Sequence, residues 1–362
     1  MFYYLYYFFY DVWSPLRIFK YITLRAAAAA VTSFLLVVLC GPWLIKKLKS
    51  FRVGENIRKE ECPDLYKIHA HKQGTPTMGG VLIVFSILFS LIVWADIANK
   101  YILISVFVAV WLAALGFVDD YIKLRYGRSS CMNKRTKLLF QVIAGLVLGI
   151  FVYFDGGLST KLYIPFLKNV SINLGLLYIL FVIIVLSGSS NAVNLTDGLD
   201  GLAVGSLVFV AVTYSVLCYV SGNARFSSYL FIPFIPDAAE LTILCAAIAG
   251  SCLGFLWFNC YPASVFMGDV GSLFLGGLMG TIAILIKKEV LLLLVGFVFV
   301  VEALSVILQV ASFKFRKKRI LKIAPLHHHF ERMGLTEPKI IIRFWIVGAI
   351  LSFLTLATLK IR

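Results

Sequence analysis

The sequence predicts an all-α integral membrane protein with about ten transmembrane helices. Of its 362 residues, 60% are hydrophobic and only 14% are charged, whereas soluble domains average about 45–50% and 25%. The apolar residues gather into runs of roughly 20, long enough to cross a hydrocarbon core of about 30 Å as helices. Only helices and closed barrels can satisfy their backbone hydrogen bonds in that environment. An ordinary soluble globular protein is therefore excluded.

Ten apolar runs follow one another along the chain. The predicted spans lie near residues 22–45, 78–95, 101–118, 138–154, 174–188, 202–220, 241–258, 273–286, 290–311 and 341–359. No Pro- or Ser-rich linker and no internal repeat divides them, so residues 1–362 are predicted to form one membrane domain. The opening residues, MFYYLYYFFYDVWSPLRIF, lack the basic start and small-residue cleavage site of a signal peptide. Residues 1–21 are instead predicted to form an aromatic interfacial segment.

The formal net charge of +16 is distributed unevenly along the chain. Most of the Lys and Arg residues fall in the segments that follow spans one, three and nine. Cytoplasmic loops of membrane proteins carry such an excess, so the odd-numbered loops are predicted to be cytoplasmic and both termini periplasmic. The same distribution favours a membrane surface over a nucleic acid as the reason for the positive charge.

One short segment outside the spans is β-prone, and the cysteines are scattered. Residues 155–173 contain two short β-prone runs around Lys168 and Asn169, which predict a small periplasmic β-hairpin. The seven cysteines show no C-x-x-C spacing, so neither a structural zinc site nor a disulfide framework is expected.

Adjacent carboxylates in the stretch GFVDDYIK raise the first functional question. Asp119 and Asp120 repel each other, and they end an apolar span where the helix dipole disfavours negative charge. A positive group should therefore compensate them. A few hard oxygen ligands with room for phosphate oxygens are typical of Mg²⁺ in phosphoryl-transfer sites. Nearby Lys123 and Lys137 are candidates for holding diphosphate oxygens, although any one lysine here also fits a simple positive-inside anchor.

The other acids of interest lie in two predicted cytoplasmic loops without Lys or Arg, SGSSNAVNLTDGLDG and NCYPASVFMGDVGS. In the first, polar residues recur every third position and are expected to line one edge of a helical turn, facing a nucleotide or sugar: Asn191, Asn194, Asp197 and Asp200. In the second, Asp269 lies between two glycines and Phe266 offers a ring for stacking on a base. A polar loop with no ligand remains the alternative for both.

Glu302 is the only acid well inside a predicted span. Facing lipid it would be costly, so it is expected to turn inward together with Gln309. A structural hydrogen bond between spans and a polar groove are both open interpretations.

Four motifs, in this order, resemble a known superfamily. GFVDDYIK, NAVNLTDGLDGLA, FMGDVGSL and PLHHHFE (residues 325–331) are similar to motifs of the polyprenyl-phosphate N-acetylhexosamine-1-phosphate transferases, and the likeness runs from KQGTPTMGG (72–80) to the C-terminus. The first three are shared across that superfamily, whereas PLHHHFE resembles its phospho-N-acetylmuramoyl-pentapeptide branch. The ten-span layout is also that of the family. Without the resemblance, three consecutive histidines would be taken for solvated loop residues, because they cannot all face one metal from a regular helix.

The resemblance implies a reaction in which undecaprenyl phosphate attacks the diphosphate of UDP-N-acetylmuramoyl-pentapeptide, giving lipid I and UMP. It implies Mg²⁺ as cofactor, with Asp269 as its ligand, Asp119 as base or proton acceptor and Asp120 as organiser of the metal or phosphate site. Implied phosphate contacts are Lys72, Thr77, Lys123 and Lys137. On the nucleotide and sugar side it implies Asn191, Asn194, Asp197, Asp200, Asn259 and Phe266, with His327, His328 and His329 near the sugar. The irregular stretch GRSSCMNKRTK leaves Lys134 open beside Lys137.

Two other function classes would leave different marks on the sequence. A transporter would place its polar residues near the bilayer midplane, often on interrupted helices related by a repeat, but here they cluster at one face. A sister enzyme would use UDP-N-acetylglucosamine as donor and also release UMP. The sequence gives no oligomeric state, and a homodimer is compatible with it. The expected localisation is the bacterial inner membrane, with the site facing the cytoplasm.

The predicted orientation can be tested by thiol labelling. A single cysteine introduced in the loop 46–75, in a chain freed of its native cysteines, should react with an impermeant thiol reagent only after the membrane is opened. A cysteine in the segment 155–173 serves as the control and should react in intact spheroplasts. Labelling of the 46–75 position in intact cells would reverse the topology.

Overall fold

A computed structural model describes residues 1–9, 14–50, 74–126, 132–164 and 170–360, and this part of the chain is almost entirely helical. Its regular elements are α1 (Phe2–Phe9), α2 (Ile22–Ser50), α3 (Gly80–Trp94), α4 (Lys100–Tyr126), α5 (Lys134–Phe154), β1 (Lys161–Tyr163), β2 (Ser171–Asn173), α6 (Leu177–Thr196), α7 (Leu202–Ser221), α8 (Ala224–Leu230), α9 (Leu241–Asn259), α10 (Gly268–Leu285), α11 (Glu289–Val295), α12 (Phe297–Arg316), α13 (Leu326–Arg332) and α14 (Glu337–Ala357).

The predicted all-α multi-pass class is confirmed, with two changes to the spans. Within the described ranges, nine helices are long and apolar enough to cross a membrane: α2, α4, α5, α6, α7, α9, α10, α12 and α14. The second predicted span is a shorter apolar helix, the 15-residue α3. The ninth, expected as one helix over 290–311, is broken at Gly296 into α11 and α12. Glycine costs about 1 kcal/mol relative to alanine inside a helix, so it is a favourable place for the break.

Helix α3 is short because the residues before it pair with another loop instead of continuing the helix. The segment 76–80 forms backbone hydrogen bonds with the loop before α10: Gly79 N–H donates to Phe266 O at 2.9 Å, and Gly80 N–H donates to Met267 O at 2.8 Å. Phe266 N–H in turn donates to Pro76 O at 2.8 Å. Helical geometry therefore begins only at Gly80, and the start of α3 is held against the start of α10.

Helix α10 is the centre of the bundle. In its most apolar window 89% of the residues are buried inside the protein, against 22% for α2 and for α12. It packs against α3, α4 and α6, while α9 packs against α2, α3 and α7. Because α10 is enclosed on all sides by helices, any side chain in its first turn must face other helices. Asp269 lies in that turn.

The predicted hairpin is present. Strands β1 and β2 pair antiparallel with Leu162 opposite Ile172. The turn itself, with Lys168 and Asn169, lies outside the described residues. It is the only sheet in the described part of the chain.

The aromatic N-terminal segment packs on the end of α3. The Phe2 ring stacks on Trp94 with centroids 4.7 Å apart, and Tyr4 Oη donates to Asp96 Oδ1 at 2.8 Å. Beneath it the guanidinium of Arg25, 1% exposed, is paired with Glu240 through Nη2–Oε1 (2.5 Å) and Nη1–Oε2 (3.0 Å). This buried two-point pair joins the start of α2 to the start of α9.

Candidate active site

Four helices bring the carboxylates and lysines of three separate motifs to one place. Asp119, Asp120 and Lys123 project from the last two turns of α4, Lys137 from the first turn of α5, and Asp269 from the first turn of α10. The fourth helix, α6, contributes an amide from its last turn. We call the five charged residues the carboxylate–lysine cluster.

Two ammonium groups lie between the three carboxylates. Lys123 Nζ is 2.9 Å from Asp119 Oδ2, 2.9 Å from Asp269 Oδ2 and 3.7 Å from Asp120 Oδ1. Lys137 Nζ is 2.6 Å from Asp269 Oδ2 and 3.5 Å from Asp119 Oδ2. The adjacent acids thus have positive groups beside them, as expected from their charge. Lys137 lies against the carboxylates, whereas Lys134 is exposed; which of the two contacts phosphate stays a prediction.

The remaining carboxylate oxygens are held by neutral groups. Asn194 Nδ2 donates to Asp269 Oδ1 at 2.7 Å and to Ser272 Oγ at 2.8 Å. Asp120 Oδ2 accepts the backbone N–H of Val270 at 3.1 Å. Asp119 and Asp120 are both 4% exposed, but their contacts differ. Asp120 fixes the backbone that carries Asp269. The polar groups that contact Asp119 in the described part of the chain are charged side chains.

Close backbone approach makes this geometry possible at two glycines. A Cβ on Gly116, one turn before Asp119, would lie 2.3 Å from the backbone oxygen of Asp269, so α4 and α10 could not cross as closely with any other residue there. Gly268 has φ = +75°, a conformation that other residues rarely adopt, and a Cβ there would lie 2.6 Å from Asp120 Oδ2. The glycines of GFVDDYIK and FMGDVGSL thus set the distance between the two motifs.

The polar edge expected along NAVNLTDGLDG does not form, and that expectation is corrected. Helix α6 ends at Thr196, Asp197 is its C-cap, and Gly201 begins α7 in a left-handed conformation. Asn194, in the last turn of α6, bonds Asp269 of the cluster.

Asn191 and Asp200 have partners elsewhere. Asn191 Nδ2 donates to Gln141 Oε1 of α5 at 2.8 Å. Asp200, 2% exposed, accepts the backbone N–H of Ala263 on Oδ2 at 2.9 Å. Period-three spacing rotates by about 300° per step on a helix, so such residues drift around it even where the helix continues.

Three other predicted residues lie along the loops beside the cluster. Thr77 Oγ1 is next to Gly268, 3.1 Å from where a Cβ would stand. Phe266 is half-buried and its backbone is paired with residues 76 and 79. Asn259 is buried, and its Nδ2 donates to Val265 O at 2.8 Å, closing the loop 259–265. Lys72 lies outside the described residues.

The three histidines of PLHHHFE lie on the short helix α13, and each ring has a different neighbour. His327 Nδ1 is 3.1 Å from Glu302 Oε2, His328 Nδ1 is 2.7 Å from Glu331 Oε2, and His329 Nδ1 accepts the backbone N–H of Lys322 at 3.1 Å. Glu302 faces inward as expected and is fully buried. Gln309 does not join it and instead bonds the backbone of residues 320 and 321.

Sequence reasoning missed several residues of this region. Ser272 stands one turn after Asp269, a spacing that would have placed it on the same helix face. Glu337 is 8% exposed and its Oε1 accepts the backbone N–H of Asp200 at 2.8 Å, 137 positions away in sequence. No sequence signal connected it to Asp200.

Comparisons with known proteins agree on the family. A family model for glycosyl transferase family 4 matches residues 101–287, and the phospho-N-acetylmuramoyl-pentapeptide-transferase signature 1 matches residues 72–84. A phospho-N-acetylmuramoyl-pentapeptide-transferase of Citrifermentans bemidjiense is 51% identical over 346 residues, covering 96% of each chain. One of Desulfotalea psychrophila is 48% identical over 363 residues and covers all of both chains. The chain belongs to the phospho-N-acetylmuramoyl-pentapeptide-transferase family.

The family match contains the whole carboxylate–lysine cluster. Residues 101–287 include α4, α5, α6 and α10. The signature over 72–84 covers Thr77 and the segment whose backbone pairs with the loop before α10. Both matched regions of this transferase family therefore meet at Asp269.

The charge balance of the cluster can be tested through stability. Lys137→Met removes one of the two cations and leaves a carboxylate group undercompensated, so the free energy of unfolding in detergent should fall by about 1–3 kcal/mol. Lys134→Met is the control, because it makes the same type of change in the same turn of α5 at an exposed position. It should lower the free energy of unfolding by less than about 0.5 kcal/mol. Equal losses in the two variants would contradict the cluster.

Proposed function

We propose that this protein transfers phospho-N-acetylmuramoyl-pentapeptide from UDP-N-acetylmuramoyl-pentapeptide to undecaprenyl phosphate, forming lipid I and UMP in peptidoglycan synthesis. The single observation that carries the proposal is the carboxylate–lysine cluster in a chain of this family. The oxygen of the lipid phosphate forms a bond to the phosphorus that carries the amino sugar. The bond from that phosphorus to the UMP oxygen breaks, and UMP leaves.

The geometry suits a soluble anionic donor and a membrane-bound acceptor. In this proposal the site opens at the cytoplasmic face of the inner membrane, because the positive-inside rule predicts that the segment after span three is cytoplasmic, and Asp119, Asp120 and Lys137 belong to that segment. The donor arrives from the cytoplasm and undecaprenyl phosphate from the bilayer. The proposal includes a single membrane domain over residues 1–362. The partners that it implies are these two substrates and the lipid bilayer.

Mg²⁺ fits the donor set of the cluster. Lys123 Nζ stands within 3.7 Å of three carboxylates, the kind of position that a cation takes. No three His, Cys, Asp or Glu residues in the described ranges are arranged to hold a metal on their own, which agrees with an ion that binds one or two carboxylates and takes its other ligands from phosphate and water. We assign Asp269 as its ligand. When bound, Mg²⁺ would neutralise diphosphate charge.

The lysines and Asp119 act directly on the reacting phosphates in this proposal. Lys123 and Lys137 hold the phosphate oxygens once a substrate competes with the carboxylates for them. The second pKa of a phosphate monoester is about 6, so the lipid phosphate is mostly dianionic at neutral pH and gains little from a base. The attacking phosphate therefore needs orientation more than deprotonation. We assign Asp119 to orienting it and to accepting the proton of the monoanionic fraction, and Asp120 to holding the backbone at Val270.

The donor is the first test. Purified protein supplied with undecaprenyl phosphate should release UMP from UDP-N-acetylmuramoyl-pentapeptide, at a rate at least about 10²-fold above that with UDP-N-acetylglucosamine, which lacks the peptide. Omitting undecaprenyl phosphate is the control and should abolish release. Release from the second donor alone would refute the proposal.

The two acids should separate in a Mg²⁺ titration of activity. Asp269→Asn exchanges an anionic metal ligand for a neutral one, so its half-saturating Mg²⁺ concentration should rise and added Mg²⁺ should restore part of the rate. Asp119→Asn should lower kcat by about 10²–10⁴ without rescue by metal.

A third variant is the matched control for the two acids. Asp120→Asn keeps an oxygen able to accept the Val270 N–H, so it should lose less activity than Asp120→Ala. If Asp119→Asn behaved as the metal-affinity variant and Asp269→Asn did not, the two roles would be reversed.

A further inference from the structure

We propose that Glu302 is a positioning residue that holds His327 against the turn at Gly198, and so sets the histidine helix α13 relative to the donor subsite. The inference rests on the proposed function, which it deepens by assigning a residue to donor binding. The turn concerned, residues 197–201, joins α6 to α7, and we call it the donor turn.

The carboxylate of Glu302 is directed at one residue only in the described part of the chain. It is 0% exposed in the middle of α12, and Oε1 accepts the backbone N–H of His327 at 3.1 Å. Oε2 lies 3.1 Å from His327 Nδ1 and 3.4 Å from the same backbone nitrogen. A buried carboxylate is costly unless it is paired. Here all the partners are on the first turn of α13, so this helix is tied to α12.

The contact places the imidazole against the donor turn. The hydrogen bonds to Glu302 come from the backbone N–H of His327, and the ring Nδ1 lies 3.1 Å from Oε2 without forming one. Nε2 is also buried and has no hydrogen-bond partner among the described residues. It points at the donor turn: a Cβ on Gly198 would lie 2.4 Å from it. The ring of His327 therefore fills the place that a side chain at position 198 would take.

A second buried acid holds the other end of the donor turn. Glu337, in the first turn of α14, accepts the backbone N–H of Asp200 at 2.8 Å, and Asp200 Oδ2 accepts the N–H of Ala263 at 2.9 Å. Glu337 thus bonds the donor turn directly, Glu302 acts on it through His327, and Asp200 of the turn holds the loop 259–265. In the proposed function these are the three segments that surround the nucleotide and sugar.

A role limited to stability predicts a different result from a positioning role. An apolar side chain of similar size often replaces a buried ionic group at little cost to stability, but it cannot orient His327. Orienting groups behind an active residue typically change affinity or rate by about 10–100-fold when lost, as is known for partners of metal-bound histidines. Donor affinity, measured separately from stability and from the lipid KM, distinguishes the two roles.

The first experiment compares Glu302→Leu and Glu302→Gln with Glu289→Gln. Glu289 is also a buried acid, but it follows the other end of α10, about 27 Å of helix away from the cluster. We expect Glu302→Leu to weaken UMP binding, measured by calorimetry, and to raise the donor KM by 10-fold or more, with the lipid KM changed less than 2-fold. Glu302→Gln should be intermediate because it still accepts the His327 N–H. Unchanged UMP affinity and donor KM in Glu302→Leu would overturn the proposal.

The second experiment tests the contact itself and does not need activity. Gly198→Ala introduces the Cβ that collides with His327, and removing the ring in His327→Ala should relieve the collision, so the double variant should be no less stable than His327→Ala alone. Gly188→Ala is the control, because a Cβ there meets nothing within 4 Å, and its effect should add to that of His327→Ala. Additive losses of Tm for Gly198→Ala and His327→Ala would overturn the contact. If the wild-type protein neither bound UMP nor released it, the proposed function would fail, while this coupling would still be measured.

Discussion

Compensation of three carboxylates, two of them buried, is the constraint on which this end of the bundle depends. Asp119, Asp120 and Asp269 converge where α4 crosses α10, and an unpaired ion in such a place costs several kcal/mol. Both lysines that offset them come from helices other than α10, so α4, α5 and α10 must meet here for the charges to be satisfied. The glycines at 116 and 268 are consequences of the same demand, since a side chain at either would separate the groups.

The cluster carries fewer ammonium groups than carboxylates, and that imbalance is useful for a phosphoryl-transfer site. The two lysines satisfy the acids in the absence of a substrate, yet the same ammonium groups are what phosphate oxygens require. In the proposed function, a divalent cation held by the carboxylates would take the place of the lysines there and leave them for the phosphates. The ion pairs of the cluster would then be exchangeable contacts, whereas the buried Arg25–Glu240 pair at the start of α2 joins helices.

The sequence predicted the fold wherever a local property decides it. Hydrophobic run length identified the spanning helices, and alternating β-prone runs identified the hairpin. The sequence did not predict the helix boundaries at Gly80 and Gly296. Helix α3 starts at Gly80 because the preceding backbone pairs with residues 266 and 267. The ninth span breaks at Gly296, and glycines also occur inside unbroken spans. In the site, the need for a cation beside Asp119 and Asp120 could be derived from charge alone. That Asn191 turns to Gln141 while Asn194 turns to Asp269 could not, because the choice depends on which helices flank α6.

The histidine motif shows how far spacing on a helix can be used to read a segment. Consecutive residues on a helix point about 100° apart, so three histidines in a row were not expected to share one metal. In the structure the rings of His328 and His329 bond Glu331 and the backbone of Lys322, whereas His327 is buried and is held through its backbone N–H. Its partner, Glu302, comes from a span 25 residues earlier in the chain. A polar residue inside a span is most often explained by what it faces, and here it faces a loop-borne helix rather than another span. The acid in the membrane helix and the histidine outside it are thus one structural unit, which neither segment reveals when read alone.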